Sequence, residues 1–159
     1  MKVAIIYGSK SDKQVMANAA KLLKEFGIEY TCHILSAHRV PENLSLTIKE
    51  LEKNKCEIII AGAGLAAHLP GVIASQTIIP VIGIPIKAEL GGMDALLSIV
   101  QMPKSIPVAT VGINNSYNAA MLAIEMLAIK YSELSNKLLK FRNDMKIKFI
   151  EENSKESEL

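Results

Sequence analysis

With 159 residues, 18 Lys and Arg against 16 Asp and Glu, and a formal charge of +2, the chain suits one domain and carries no basic block that would steer nucleic acid or an anionic membrane. Half of the residues are hydrophobic, yet Trp is absent and aromatics make up only 4%, so the core is aliphatic and single-stranded nucleic acid finds few stacking platforms. A chain of this size hides about 70% of its unfolded surface on folding, and no apolar run reaches membrane-spanning length.

Met1-Lys2 runs straight into an apolar stretch, Lys2 to Tyr7, bounded by Gly8. It reads as a buried strand with no signal peptide ahead of it, so a cytoplasmic location is expected. Beyond Gly8-Ser9-Lys10-Ser11-Asp12, the residues Val15, Ala19, Leu22, Leu23 and Phe26 fall on one helical stripe, and Gly27 stands where a C-cap glycine would end it. Ile28 to Leu35 is the second expected strand. Pro41, suited to a first helical turn, then precedes Leu44, Ile48 and Leu51 at helical spacing. Cys56 to Ala61 is the third strand, followed by a small-residue loop and a short helix near Leu69 to Thr77. Pro80 to Ile84 is the fourth strand, Gly91 to Met102 contains a helix, and Pro107 to Val111 supplies the fifth strand.

Strands alternating with helices at this spacing predict parallel βαβ units with right-handed crossovers, hence an α/β, three-layer doubly wound sheet forming a single domain over 1–159. Cys32 and Cys56 lie in apolar runs expected to be neighbouring strands, without CxxC spacing, and are expected to be buried free thiols. Asn118 to Ile129 is apolar on nearly every face apart from Glu125, which implies burial on both sides and therefore oligomerisation. From Ser132 onward Leu134, Leu138, Phe141 and Met145 make a narrower stripe, so residues 131–159 read as a C-terminal helix able to dock on a neighbour, with a frayed tail over Glu151 to Leu159.

The loops that follow parallel strands converge on one edge of a sheet, and three of them here are rich in small and polar residues. Ser36-Ala37-His38-Arg39 puts a proton donor and acceptor beside a fork for phosphate or carboxylate. Gly8-Ser9-Lys10-Ser11-Asp12 leaves a strand and enters a helix, so its N–H groups, hydroxyls and positive helix end suit a phosphate. Asp12 is open to two roles, helix N-cap or acceptor for ribose hydroxyls. The loop lacks the GxxxxGK[ST] pattern of nucleoside triphosphate hydrolysis.

Gly62-Ala63-Gly64-Leu65-Ala66-Ala67 imitates the G-x-G-x-x-A dinucleotide fingerprint. It falls in the third unit rather than the first, and the next strand ends in Gly83, Ile84 and Pro85 where an acid is required. A hydrolase built on Ser9, His38 and Asp12 lacks the G-x-S-x-G elbow. His33, His38 and His68 have neither i, i+4 spacing nor a carboxylate in register, so no metal is expected.

Taken together, Gly8-Ser9-Lys10-Ser11-Asp12, Ser36-Ala37-His38-Arg39, Ala66-Ala67-His68-Leu69-Pro70-Gly71 and Ser98-Ile99-Val100-Gln101-Met102-Pro103 resemble the class I N5-carboxyaminoimidazole ribonucleotide mutase family of de novo purine biosynthesis. The resemblance covers roughly residues 3 to 130. It implies a flavodoxin-like fold, a homo-octamer, and cofactor-free transfer of a carboxyl group from N5 to C4 of an aminoimidazole ribonucleotide, with the whole chain as one catalytic domain. It also implies functional pairing with the ATP-dependent synthetase that makes the carbamate substrate.

By matching motif, Ser9, Asp12 and Arg39, with Ser36 nearby, are expected to hold the ribose 5-phosphate, and Ser11 and Ala37 are expected to be among the other substrate-binding residues. His38 is expected to be the acid-base group, with His68, Gly64, Ala66 and Ala67 at the imidazole and carboxylate end. Two departures stand out. Leu65 replaces a glycine of the family's GAGGAAHLPG, so either the position does not need positive φ or the loop is reshaped. Ser105 also stands where glycine is usual, a difference expected to be harmless.

Overall fold

The computed structural model describes residues 1–156. The chain falls into two compact units, Met1–Ala123 and the part from Ile124 onward.

The first unit is a parallel sheet with helices on both faces. Its strands are β1 (Lys2–Tyr7), β2 (Glu29–Ile34), β3 (Ile58–Gly64), β4 (Val81–Ile86) and β5 (Ala109–Thr110), in the order β2-β1-β3-β4-β5. That order places β1 between β2 and β3, so the strands following the first two helices are not neighbours, and the expected adjacency of the cysteine-bearing segments is wrong. As an edge strand β2 is largely open to solvent, and Cys32 on it is exposed; Cys56 is buried and free as expected. Burial pushes both thiols above their ordinary range.

The inner strands read as near-continuous apolar runs because both of their faces are covered. On one face Ala4 and Ile6 of β1 and Ile59, Ala61 and Ala63 of β3 meet Leu44 and Ile48 of α2 (Pro41–Lys53), Leu69 and Ile73 of α3 (Leu69–Ala74) and Ile99 of α4 (Met93–Val100). On the other face α1 (Lys13–Glu25) buries Met16, Ala19, Leu22 and Leu23. The Ser116 hydroxyl, opening α5 (Ser116–Ala128), donates to the Val15 carbonyl at 2.5 Å.

The expected end of α1 at Gly27 is met. Gly27 has φ 75°, its N–H donates to Lys24 O at 3.0 Å, and Ile28 N–H donates to Leu23 O at 2.9 Å. This is a Schellman closure, which leaves the helix axis and starts β2 in one step.

On α4, Ala95 and Ile99 face inward while Met93, Leu97 and Val100 remain exposed. The apolar faces of α5 hold less free surface than the sequence suggests: Ala119, Ala120, Ala123, Ile124 and Leu127 are already buried in the single chain.

In the second unit α6 (Ser132–Glu156) is one continuous helix, so residues 151–156 are helical rather than frayed, and the rest of the expected tail, 157–159, lies outside the described residues. Within this unit Arg142 pairs with Glu125. Among the described residues no helix is long and apolar enough to cross a membrane.

Candidate active site

The loops after β1, β2, β3 and β4 meet at the C-terminal edge of the sheet, around a cleft of about 720 Å³. Such an edge is where open α/β sheets take ligands.

The β1 loop is organised by its own side chains. Ser9 is the N-cap of a 3-10 turn, Lys10–Asp12, and Asp12 Oδ2 accepts the Ser9 N–H at 3.0 Å, closing a capping box. Ser11 Oγ lies 3.0 Å from Ser9 Oγ and donates to Asp12 Oδ1 at 3.1 Å. Of the two roles open to Asp12, it does stand at the N-cap position of α1, but its side chain makes no cap bond to that helix and is turned back on the 3-10 turn instead. Ser9 is the cap and Asp12 its reciprocal partner, with one carboxylate oxygen on a backbone N–H and the other on a hydroxyl. Beneath this loop Tyr7 is buried, and its phenol is pushed up first by burial and then by Cys32 and Asp12.

The β2 loop turns through Ser36, whose carbonyl accepts the N–H groups of Arg39 at 3.3 Å and Val40 at 3.0 Å. The turn projects Ser36, Ala37, His38 and Arg39 into the cleft. Arg39 Nη2 donates to Gly8 O at 2.8 Å, which ties the two loops together and leaves other donors of the guanidinium for a ligand.

β3 runs on to Gly64, past its expected end at Ala61, and with the loop after it brings Gly64, Leu65, Ala66 and His68 to the same cleft. Ala67 does not line it; at 1% exposure it belongs to the apolar core below. Gly64 is small for a structural reason as well, since a Cβ there would stand 3.0 Å from Ile86 O on β4. Leu65 has φ 56° and Ser105 has φ 78°, so both positions take the left-handed conformation that glycine accepts freely, and neither departure is conformationally neutral.

His38 Nε2 and His68 Nδ1 are 2.7 Å apart, with the rings edge to face at 78°. A hydrogen bond between two ring nitrogens needs a proton on one and a lone pair on the other, so the pair shares one proton whichever ring donates. Two candidates separated by a strand and a helix in sequence are therefore joined by one hydrogen bond. His33 lies elsewhere, on β2 with Thr31 Oγ1 at 2.9 Å, and burial lowers its basicity despite Glu50. Among the described residues no three His, Cys, Asp or Glu side chains gather as a metal would require.

One charged residue of the cleft escaped the sequence reading: Lys87, directly after β4. Its signal was its place, at the carboxyl end of a parallel strand, rather than any motif.

The AIR carboxylase family model matches residues 2–148. The N5-carboxyaminoimidazole ribonucleotide mutase of Pyrococcus abyssi is 58% identical over 146 residues, covering 91% of this chain and 84% of that protein. The protein of the same name from Methanocaldococcus jannaschii is 50% identical over 158 residues, covering 99% and 98%. A crystal structure of Treponema denticola PurE superposes with a TM-score of 0.90 at 31% identity and covers 97% of each chain. The motifs, the strand order and these likenesses agree: the chain belongs to the AIR carboxylase family.

Proposed function

We propose that the chain is an N5-carboxyaminoimidazole ribonucleotide mutase, converting N5-carboxyaminoimidazole ribonucleotide to 4-carboxy-5-aminoimidazole ribonucleotide in de novo purine biosynthesis. The observation that carries the mechanism is the 2.7 Å contact of His38 with His68 in a cleft otherwise lined at that end by Ala63, Gly64 and Ala66.

The substrate is a carbamate. Protonation at N5 lets the N–C bond break with its electron pair going to nitrogen, which frees CO2 and leaves an enamine-like ring. C4 attacks the same CO2, a carbon–carbon bond forms, and loss of the C4 proton restores aromaticity. N5 gains one proton and C4 loses one, so the histidine pair ends as it began. A positioned acid-base group typically contributes 10²- to 10⁴-fold, and His38 fills that role in both steps while His68 holds the shared proton. The bond that breaks supplies the electrons, so the cycle calls on no ATP, biotin or metal.

Recapture requires that CO2 stay beside C4, which favours a cleft of small residues that exclude water. Arg39, with Ser9, Ser11 and Ser36 around it, holds the 5-phosphate, and Asp12 keeps the loop in shape and faces the ribose. Ala37 and Ala66 keep the path narrow. On this reading the chain is one catalytic domain, with every proposed site residue in the first unit.

A homo-octamer and functional pairing with the ATP-dependent synthetase belong to the same proposal. Support for self-association comes from α4, where Met93, Leu97 and Val100 are 48%, 50% and 48% exposed on one stripe. Light scattering at micromolar concentration should find a closed oligomer, and a fully active 17.3 kDa species would exclude it.

Substrate assays test the activity itself. Rapid conversion of the carbamate without added bicarbonate is expected. Dependence on CO2 would instead make the protein a carboxylase acting on aminoimidazole ribonucleotide, and tight binding without turnover would make it a non-catalytic phosphate-binding module.

A further inference from the structure

The row of strand ends gives the cleft two cations at opposite sides. Arg39 follows β2, at one edge of the sheet, while Lys87 follows β4, on the far side of β3. Lys87 comes directly after the pair formed by Ile86 and Gly64, so it borders the part of the cleft that holds Gly64, Ala66 and His68.

Its backbone is fixed. The Lys87 N–H donates to Asn114 Oδ1 at 2.8 Å, and Asn114 N–H in turn donates to Pro85 O at 2.8 Å. The ammonium has no ion-pair or hydrogen-bond partner among the described residues. Among the described residues Asp12 is the one carboxylate lining the cleft, and it is engaged with Ser9 N–H and Ser11 Oγ in the β1 loop. Glu89, two residues along, is exposed and makes no ion pair with Lys87. A cleft has thus been given a positioned cation that the fold itself does not use.

The substrate has two anionic ends, a phosphate and a carboxyl group, and Arg39 accounts for one. We infer that Lys87 holds the other: it binds the migrating carboxyl group as the N5 carbamate and again as the C4 carboxylate. This rests on the mutase reading. A lysine suits the task because its charge is compact and its stem flexible, so one ammonium can follow a group that moves between two ring atoms; the planar fork of an arginine is more demanding in geometry. The cation stabilises both anionic stages relative to neutral CO2 between them, and so favours recapture over escape.

The test compares Lys87→Met, which keeps length and loses charge, with Lys87→Arg, which keeps charge. Titration calorimetry is run with 4-carboxy-5-aminoimidazole ribonucleotide and with 5-aminoimidazole ribonucleotide, which lacks the carboxyl group. Lys87 is exposed, so thermal melts of both variants should match the wild type. Lys87→Met is expected to weaken the carboxylated ligand by roughly 10- to 100-fold, the change that follows from losing one hydrogen bond to a charged group, and to leave the other ligand unaffected. Lys87→Arg should restore most of the difference.

Equal losses for both ligands would put Lys87 at the phosphate and overturn the assignment, as would unchanged affinity for both. Either result with an active wild type leaves the mutase reading standing. A wild type that does not interconvert the two carboxylated nucleotides overturns that reading and the role of Lys87 with it.

Discussion

Two residues at opposite ends of β3 share a conformation and differ in what they do with it. Lys55, just before the strand, has φ 57°, and Leu65, just after it, has φ 56°. For an L-residue other than glycine the left-handed region costs about 1–2 kcal/mol, so both sites store strain of similar size. At Lys55 the backbone is fully used: its N–H donates to Glu52 O at 3.0 Å and Cys56 N–H donates to Leu51 O at 2.9 Å, the same Schellman closure that Gly27 makes.

At Leu65 the chain makes only short local bonds, Ala67 N–H to Leu65 O at 2.8 Å and His68 N–H to Ala66 O at 2.7 Å, and the side chain is 53% exposed over the cleft. Strain at the amino end fastens a helix to a strand. Strain at the carboxyl end aims a loop so that His68 meets His38. The sheet therefore has a structural edge and a chemical edge, and substitutions should sort between stability and turnover according to which edge they touch.

The largest effect belongs to the chemical edge. His38→Asn keeps polarity and approximate size but cannot move a proton, so single-turnover rates on the carbamate should fall at or beyond the upper end of the 10²- to 10⁴-fold range, with equilibrium binding and melting temperature nearly unchanged. His68→Asn should fall less. If His38→Asn keeps more than about a tenth of wild-type turnover, His68 becomes the group that exchanges protons with substrate.

Next comes Arg39→Ala, expected to raise KM by an amount equivalent to about 1.5–3 kcal/mol as a charge-assisted bond to the phosphate is lost. Lysine should rescue only part of this, since it replaces the charge but not the fork. An unchanged KM would remove Arg39 from the site. A small loss of stability is expected alongside, because its bond to Gly8 O joins two loops.

Much of this division was legible before the fold was known. Period and punctuation located the five strands and the α-helices of the first unit, though not the 3-10 turn at Lys10–Asp12, since a strand buried on both faces reads as an apolar run and Gly27 suits a helix end. The loops converged as expected because parallel strands all finish on one edge.

What stayed hidden depends on tertiary neighbours. The apolar run read in Ile28 to Leu35 could not tell that β2 is an edge strand, so Cys32 was expected to be buried. The 2.7 Å contact joins residues from two separate loops and has no local signature. Lys87 is one lysine among many until β4 is seen to end beside β3, and Ala67 looks like its loop neighbours until the chain is seen to dip into the core there.

Leu65→Gly probes the chemical edge where strain and cover coincide. Relief of the left-handed φ is partly offset by the freedom glycine adds to the unfolded chain, about 0.5–1 kcal/mol, so a modest gain in stability is expected. Turnover should move the other way, because a side chain that lines the cleft beside Gly64, Ala66 and His68 is gone. The informative measurement is the partition between carboxylated product and free 5-aminoimidazole ribonucleotide released after CO2 escapes. More release than from the wild type is expected. An unchanged partition would mean that Leu65 is strained without covering the site.

Lys55→Gly is the smallest effect and the sharpest control. The φ relieved is almost the same as at Leu65, the side chain is exposed, and the hydrogen bonds of the Schellman closure are made by backbone atoms that the substitution leaves in place. The same balance of about 1–2 kcal/mol relieved against about 0.5–1 kcal/mol of added chain entropy predicts a net gain centred on about 0.75 kcal/mol, with extremes of about 0 and about 1.5. For a chain of this size that is a rise of about 1–4 °C in melting temperature. Unlike Leu65→Gly, it should leave both turnover and the partition of CO2 unchanged, because the strain it removes lies at the opposite end of β3 from the cleft. A lower melting temperature would show that the closure at Lys55 holds no releasable strain, and altered CO2 release would show that the two edges of the sheet are coupled.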